Sequence, residues 1–284
     1  MSEAQAILAE AESRARRVET PCGAGTMVWR VWGPEKPDSP ALVLGHGGQG
    51  TWSHWIRNID ALAAHFRVIV PDLPGHGDSA MPDAERHTAI SAVLAEAMPM
   101  LLGEGQQADF VGFSFGGAVF THFVLRHPEW VRRVVLIGTG GLDTPHGHIN
   151  LGRVSGLKGA ERQAMIRANL LGLMLHHPES VDELAMHMLM ANARAARMFV
   201  PHLVIPDRVV RVLDQLKVPL DAIWGEFDRP HPGPHVQEAV LRRFQPDLDF
   251  RVIAGAGHWV MYERAEAFDA ALLDMLAACP RAME

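Results

Sequence analysis

Short apolar runs punctuated by Gly and Pro alternate along this chain with longer stretches of helical spacing. The runs are Ala41–Leu44, Phe66–Val70, Ala108–Phe113, Val131–Ile137, Leu220–Trp224 and Phe250–Ile253. Apolar runs this short, bounded by turn residues, read as strands buried on both faces. Between them the spacing predicts helices over about 54–65, 85–102, 115–127, 234–244 and 262–278. Strands that alternate with helices predict an α/β fold with a mostly parallel sheet covered on both faces. Val18 to Trp32, with Pro21, Gly23 and Gly25 in its middle, predicts an opening antiparallel hairpin.

One stretch breaks the rhythm. From about Asp143 to Ile205 no strand pattern occurs. Val181, Leu184, Ala185, Met188 and Leu189 share one helical face, and Pro178 fits the first turn of that helix. Six of the chain's fourteen methionines lie in this block: Met165, Met174, Met186, Met188, Met190 and Met198. They either fill a small core or form an adaptable apolar wall for a substrate.

Composition narrows the function classes. A length of 284 residues is long for one plain α/β domain and short for two. A net charge of −7 lacks the basic footprint of a nucleic-acid binder. Residues 143–210 carry seven basic and six acidic side chains, net +1, which leaves −8 for the remainder. Six histidines fall in that same block: His146, His148, His176, His177, His187 and His202. The adjacent pair His176-His177 is not a metal signature, because neighbouring histidines rarely face one site. The two cysteines, Cys22 and Cys279, are too few for a disulfide scaffold and show no zinc spacing. Met1 to Arg17 lacks the order of a secretory signal, and no apolar run approaches a membrane span. The expectation is a cytoplasmic protein with no membrane partner.

Gly112-Phe113-Ser114-Phe115-Gly116 follows a buried run and opens a helix. This is the G-x-S-x-G pattern in the strand–turn–helix setting it requires. Ser114 then sits on a sharp turn, and the helix N-terminus behind it offers free N–H groups to a developing negative charge. A serine needs a base. With sixteen histidines in the chain, position must choose among them. His258, in Gly255-Ala256-Gly257-His258-Trp259, follows the last strand and is the expected base. The base needs a carboxylate to hold its tautomer. Asp228, after the strand Leu220–Trp224, is favoured over the rivals Glu226 and Asp143. The glycines of His46-Gly47-Gly48-Gln49-Gly50 leave backbone N–H groups open, so the expected oxyanion donors are the N–H of Gly48 and of Phe115. Asp72 to Ser79 reads as a structural loop.

Taken together, Gly47-Gly48, Asp72–Ser79, Gly112–Gly116, Asp228 and Gly257-His258 resemble the α/β-hydrolase superfamily over essentially the whole chain. The resemblance implies an eight-stranded, mostly parallel sheet flanked by helices. It also implies a helical cap inserted after the sixth strand, so that residues 1–142 and 206–284 form the core and 143–205 the cap. A serine nucleophile sets the chain apart from the dehalogenases and epoxide hydrolases, which attack with aspartate. The stretch Gly257-His258-Trp259-Val260-Met261-Tyr262-Glu263 is similar to the meta-cleavage-product hydrolases, which break a carbon–carbon bond. Two features depart from that subfamily. Phe113 stands where it usually has asparagine. Its substrate-binding cap arginine would fall near Met188, with Arg194 and Arg197 further along. Both departures favour a more apolar acyl pocket, as in small-molecule carboxylesterases.

The expected activity is therefore cleavage of small carboxylic esters through Ser114, His258 and Asp228, with no metal or other cofactor. Phe113, Trp259 and Met188 are the expected substrate-pocket residues. The alternatives are carbon–carbon hydrolysis of a diketone acid or, in a different class, a ligand receptor on the same fold. The sequence leaves homo-oligomerisation open.

Overall fold

A computed structural model describes residues 1–34 and 39–278; Cys279 lies outside them. Eight strands form one sheet in the order β1-β2-β4-β3-β5-β6-β7-β8. They are β1 (Arg16–Cys22), β2 (Gly25–Trp32), β3 (Ala41–Gly45), β4 (Arg67–Pro71), β5 (Ala108–Phe113), β6 (Val131–Ile137), β7 (Leu220–Gly225) and β8 (Phe250–Ile253). The first two pair as the expected hairpin, and β2 meets β4 antiparallel. Every later pairing is parallel.

The central strands are buried along their whole length, which is why their sequences run apolar without alternation. Their side chains still alternate in space. Val43, Phe110, Val134, Leu136 and Trp224 enter one core. Leu44, Val111, Phe113, Val135 and Ile223 enter the other. The first core is closed by helices α3 (His87–Leu101) and α4 (Phe115–Arg126), through Leu94, Phe120 and Phe123. The second is closed by α2 (Ile59–Ala63) and α9 (Ala265–Ala277), through Ile59, Leu62, Phe268 and Leu272.

Between β6 and β7 lie α5 (Gly159–Leu173) and α6 (Glu183–Ala195), with short 3-10 turns and no strand among the described residues. This stretch does not keep a core of its own. Ile166, Leu170, Val181, Ala185 and Met188 join the same apolar cluster as Trp55, Trp259 and Met261. Polar contacts add to the seam. Thr51 Oγ1 donates to Asn192 Oδ1 at 3.0 Å, and Asn192 Nδ2 donates to Ser53 Oγ at 3.1 Å. Arg57 reaches Asp182 at 2.5 Å, lies 3.8 Å from the Tyr262 ring, and Tyr262 Oη donates to Asp182 at 2.6 Å.

Several expected elements differ in detail. The helix expected over 54–65 splits into a 3-10 turn, Trp52–Trp55, and α2. Its middle is pulled apart by tertiary partners, Arg57 toward Asp182 and buried Asn58 toward Asp269. The helix expected over 262–278 breaks at Arg264, whose φ of −131° is not helical, into α8 (Val260–Glu263) and α9. Pro178 opens a separate 3-10 turn; α6 starts later, where the Asp182 side chain caps the N–H of Ala185 at 2.8 Å. The alanine-rich start of the chain folds as α1 (Glu3–Ser13), with a Ser2–Gln5 capping box. The remaining helix, α7 (Pro234–Arg242), starts at a proline as its spacing predicts.

The loop Asp72–Ser79 is held by buried charge. Arg30 donates to Glu12 at 2.7 Å, Asp72 at 3.0 Å and Asp78 at 2.7 Å. Asp72 also accepts the N–H of Trp52 and of Asp78. One ionic knot thus joins α1, β2 and the loops after β3 and β4, and it anchors the far end of the glycine loop at 46–50.

Candidate active site

The C-terminal ends of β3, β5, β7 and β8 carry every residue singled out for chemistry except Met188; β3 and β5 are neighbours in the middle of the sheet, β7 and β8 pair at one edge, and β6 lies between the two pairs. At the end of β5 the chain turns sharply into α4. Ser114 takes φ +50° and ψ −112°, a region that costs a non-glycine residue about 1–3 kcal/mol. The turn is held by Ser114 N–H donating to Ile137 O at 2.8 Å. Gly112 permits it: a Cβ there would lie 2.5 Å from the Gly117 backbone. The side chain of Ser114 is only half-buried, while its neighbours Phe113 and Phe115 are buried.

Asp228 and His258 are joined directly. Asp228 Oδ2 meets His258 Nδ1 at 2.8 Å, and its other oxygen accepts the N–H of His231 at 2.9 Å. Both side chains are buried. A carboxylate at Nδ1 favours the tautomer protonated there, which leaves Nε2 free to accept a hydrogen bond. The rivals lie elsewhere. Glu226 accepts the N–H of Gly255, and Asp143 is exposed on a turn beyond β6. Gly138, at the end of β6, has φ +48°, and a Cβ there would come within 2.8 Å of Asp228 and 3.0 Å of His258. Its neighbour Ile137 holds Ser114, so this glycine lies between the serine turn and the Asp–His pair.

The glycine loop faces the start of α4. A Cβ at Gly47 would lie 3.4 Å from Ser114 Cβ, and one at Gly48 3.9 Å from Phe115 Cβ. Neither Gly48 N–H nor Phe115 N–H donates to a protein acceptor among the described residues. The first N–H groups of a helix lack intrahelical partners, so Phe115 N–H is open by construction. Two histidines shape the loop from below. His46 accepts Leu73 N–H on Nε2 at 2.9 Å and turns Nδ1 to Gly47 O at 2.8 Å. Gly47 N–H donates to His54 Nδ1 at 3.3 Å. His54 lies 4.9 Å from the Trp259 ring and 5.7 Å from Phe113. Burial, followed by the nearby His258, pushes its pKa down to about 3, so it stays neutral and acts as an acceptor.

Phe113 packs 4.8 Å from His258, ring to ring. Trp259 is buried, and its indole N–H donates to His54 O at 3.0 Å. Met188 is fully buried in the apolar cluster that also holds Trp55 and Trp259. Val200, not singled out from the sequence, comes within 2.9 Å of where a Gly48 Cβ would be. Arg197 donates to the carbonyls of Gly77 and Ser79, and Arg194 is exposed. Among the described residues no group of three or more His, Cys, Asp or Glu is placed to hold a metal ion.

Burial also sets the acid response. It lowers His46, His76, His54 and His87 (both to about 3), and His122 and His231 (both to about 4). Unfolded histidine takes its proton near pH 6.5, so these six contribute stability above that pH. The contribution is lost as pH falls toward their folded values. Each supplies a slope of about 1.4 kcal/mol per pH unit. Asp269, raised by burial to about 7, and Asp72, also raised, gain stability on acidification and offset part of the loss. The histidines outnumber them, and acid unfolding at about pH 4–5 is expected against a typical stability of about 5–15 kcal/mol. Far-UV circular dichroism from pH 7 to 3 checks it; a native spectrum at pH 3.5 would contradict it.

Comparison with known proteins agrees with the fold. Residues 40–158 match the family described as alpha/beta hydrolase fold. A 2-hydroxy-6-oxononadienedioate/2-hydroxy-6-oxononatrienedioate hydrolase of Paraburkholderia phymatum is 32% identical over 256 residues, 83% of this chain and 86% of that protein. A 2-hydroxy-6-oxo-6-phenylhexa-2,4-dienoate hydrolase of Burkholderia cepacia is 29% identical over 255 residues, 84% of this chain and 87% of its own. The naproxen esterase of Bacillus subtilis superposes with a TM-score of 0.78 at 20% identity, covering 97% of this chain and 99% of that one. The chain belongs to the α/β-hydrolase family. It is a hydrolase, similar in sequence to meta-cleavage-product enzymes and in fold to esterases. No helix among the described residues is long and apolar enough to cross a membrane.

Proposed function

We propose that the protein cleaves small carboxylic esters with Ser114, His258 and Asp228 as its catalytic trio. The carrying observation is the 2.8 Å bond from Asp228 to His258 Nδ1, made beside the strained turn that presents Ser114. His258 Nε2 takes the Ser114 proton as Oγ attacks the ester carbonyl. Gly48 N–H and Phe115 N–H receive the oxyanion. The imidazolium, held by Asp228, protonates the leaving alkoxide. Water then attacks the acyl-enzyme, with His258 as base again. Phe113 and Trp259, with Met188 behind them, supply an apolar wall. Residues 143–205 act as a lid over the core formed by 1–142 and 206–284, and the partner is a small-molecule substrate.

Two features support an ester over an anionic diketone. Phe113 is apolar where the meta-cleavage-product hydrolases usually carry asparagine. Of the two cap arginines, Arg197 is spent on backbone carbonyls and Arg194 is exposed. The second reading is carbon–carbon hydrolysis, with His258 first assisting ketonisation of a dienoate. It is favoured by the relatives that match most of the chain. Assay of p-nitrophenyl esters from acetate to octanoate beside a ring-fission dienoate separates the two. Ester turnover at least about 10²-fold above dienoate turnover is expected, since a buried group without its partner discriminates strongly. Rapid dienoate turnover with negligible ester cleavage reverses the order.

A further inference from the structure

Glu263 is the last residue of α8 and only 6% exposed, yet no ion pair is formed by it among the described residues. Its carboxylate turns back to the loop in front of His258. Oε2 accepts Gly257 N–H at 2.6 Å. Both oxygens accept His176 N–H at 2.9 Å, and Oε1 accepts His177 N–H at 2.7 Å. Residues 176 and 177 belong to the insertion, in the turn between α5 and Pro178. A second link runs alongside: Trp259 N–H donates to Met174 O at 2.7 Å. The residues on either side of His258 are therefore both tied to 174–177.

We infer that Glu263 is a positioning residue that sets His258 and the insertion in register by receiving backbone N–H groups from both. The inference rests on the reading of Ser114 and His258 as nucleophile and base. An anionic acceptor makes these bonds shorter and stronger than neutral ones. A glutamine there keeps the shape but turns an NH₂ group toward one set of N–H donors, so one side of the tie must open. The other charged or titratable groups nearby cannot take over. Arg264 and the His177 ring lie against Gly255, and Glu226 already accepts Gly255 N–H. Asp228, His231 and His54 face His258 itself, and none of them reaches Gly257.

The test is Glu263→Gln beside Glu263→Asp and Arg57→Leu. Arg57→Leu loosens the insertion at Asp182 and gives up the bond to Tyr262 O, but removes no hydrogen bond of residues 257–259. For Glu263→Gln, kcat on p-nitrophenyl butyrate is expected to fall by about 10²-fold, the scale of a small misplacement of a reacting group. KM should change little. The limb of the kcat/KM–pH profile that reports His258 should move, and fluorophosphonate labelling of Ser114 should slow in parallel. Glu263→Asp keeps the charge and should recover part of kcat. Arg57→Leu should lower Tm and leave the pH profile in place. Glu263→Gln with wild-type kcat and pH profile overturns the inference. So does a loss equal to that of Arg57→Leu at equal Tm. If Glu263→Gln does not fold, Glu263→Asp decides by the same pH profile. Ser114→Ala, inactive and unlabelled, confirms the underlying reading in the same assay. Labelling that persists in Ser114→Ala would instead refute that reading.

Discussion

Replacing Ser114 by alanine is expected to lower kcat by about 10⁶-fold, as loss of a serine nucleophile does elsewhere. The fold should survive, because the Ser114 side chain makes no hydrogen bond on which the turn depends; the backbone bond to Ile137 O remains. The fluorophosphonate adduct seen on wild type should vanish. Glycine at the same position separates the backbone from the chemistry. The φ of +50° is strained for serine and alanine alike but not for glycine. Ser114→Gly should therefore be inactive and more stable than Ser114→Ala by about 1 kcal/mol in urea unfolding. Activity near wild type in Ser114→Ala would remove the serine from the mechanism.

Asp228→Asn carries the second large effect, a loss of about 10⁴-fold in kcat with the structure intact. The amide oxygen can still accept His231 N–H, so the loop after β7 should stay closed. The NH₂ group then faces His258 Nδ1. It forces Nδ1 to accept, moves the ring proton to Nε2, and leaves the base occupied. No neighbour can replace the carboxylate. His231 is pushed down to about 4, chiefly by burial, and is neutral at working pH. Steady-state rates and the pH profile of the variant check this. A loss below tenfold would mean that another group orients His258.

Much of this arrangement was legible in the sequence, for a physical reason. Parallel strands covered on both faces must be apolar throughout, so Ala41–Leu44 and Ala108–Phe113 stand out as runs. The serine turn needs small residues at fixed offsets, so it leaves a local signature. Side chains that act at a distance leave none. Asn58 looks like any helical asparagine until Asp269 bonds it, and that contact helps divide the helix expected over 54–65. Pro178 is a sound start for a helix, yet Asp182 wins because its carboxylate meets the free N–H of Ala185. His54 is one of sixteen histidines, and its packed contacts with Gly47 and Trp259 set it apart. Glu263 lies in the stretch that follows His258. Which backbone N–H groups a buried carboxylate will meet is a property of the packed fold, not of spacing.

The shared core between the sheet and the 143–205 stretch has a consequence for engineering and for divergence among relatives. That stretch is not an interchangeable module. Its apolar residues run into the cluster around Trp259, and its turn at 174–177 is laced to 257–263. A chimera that imports a foreign sequence between β6 and β7 would strip partners from the loop bearing His258, however well the transplanted helices packed. The unit of exchange is two distant pieces of chain, 143–205 together with 255–263. Substrate preference and catalytic competence in this protein would thus have to change together.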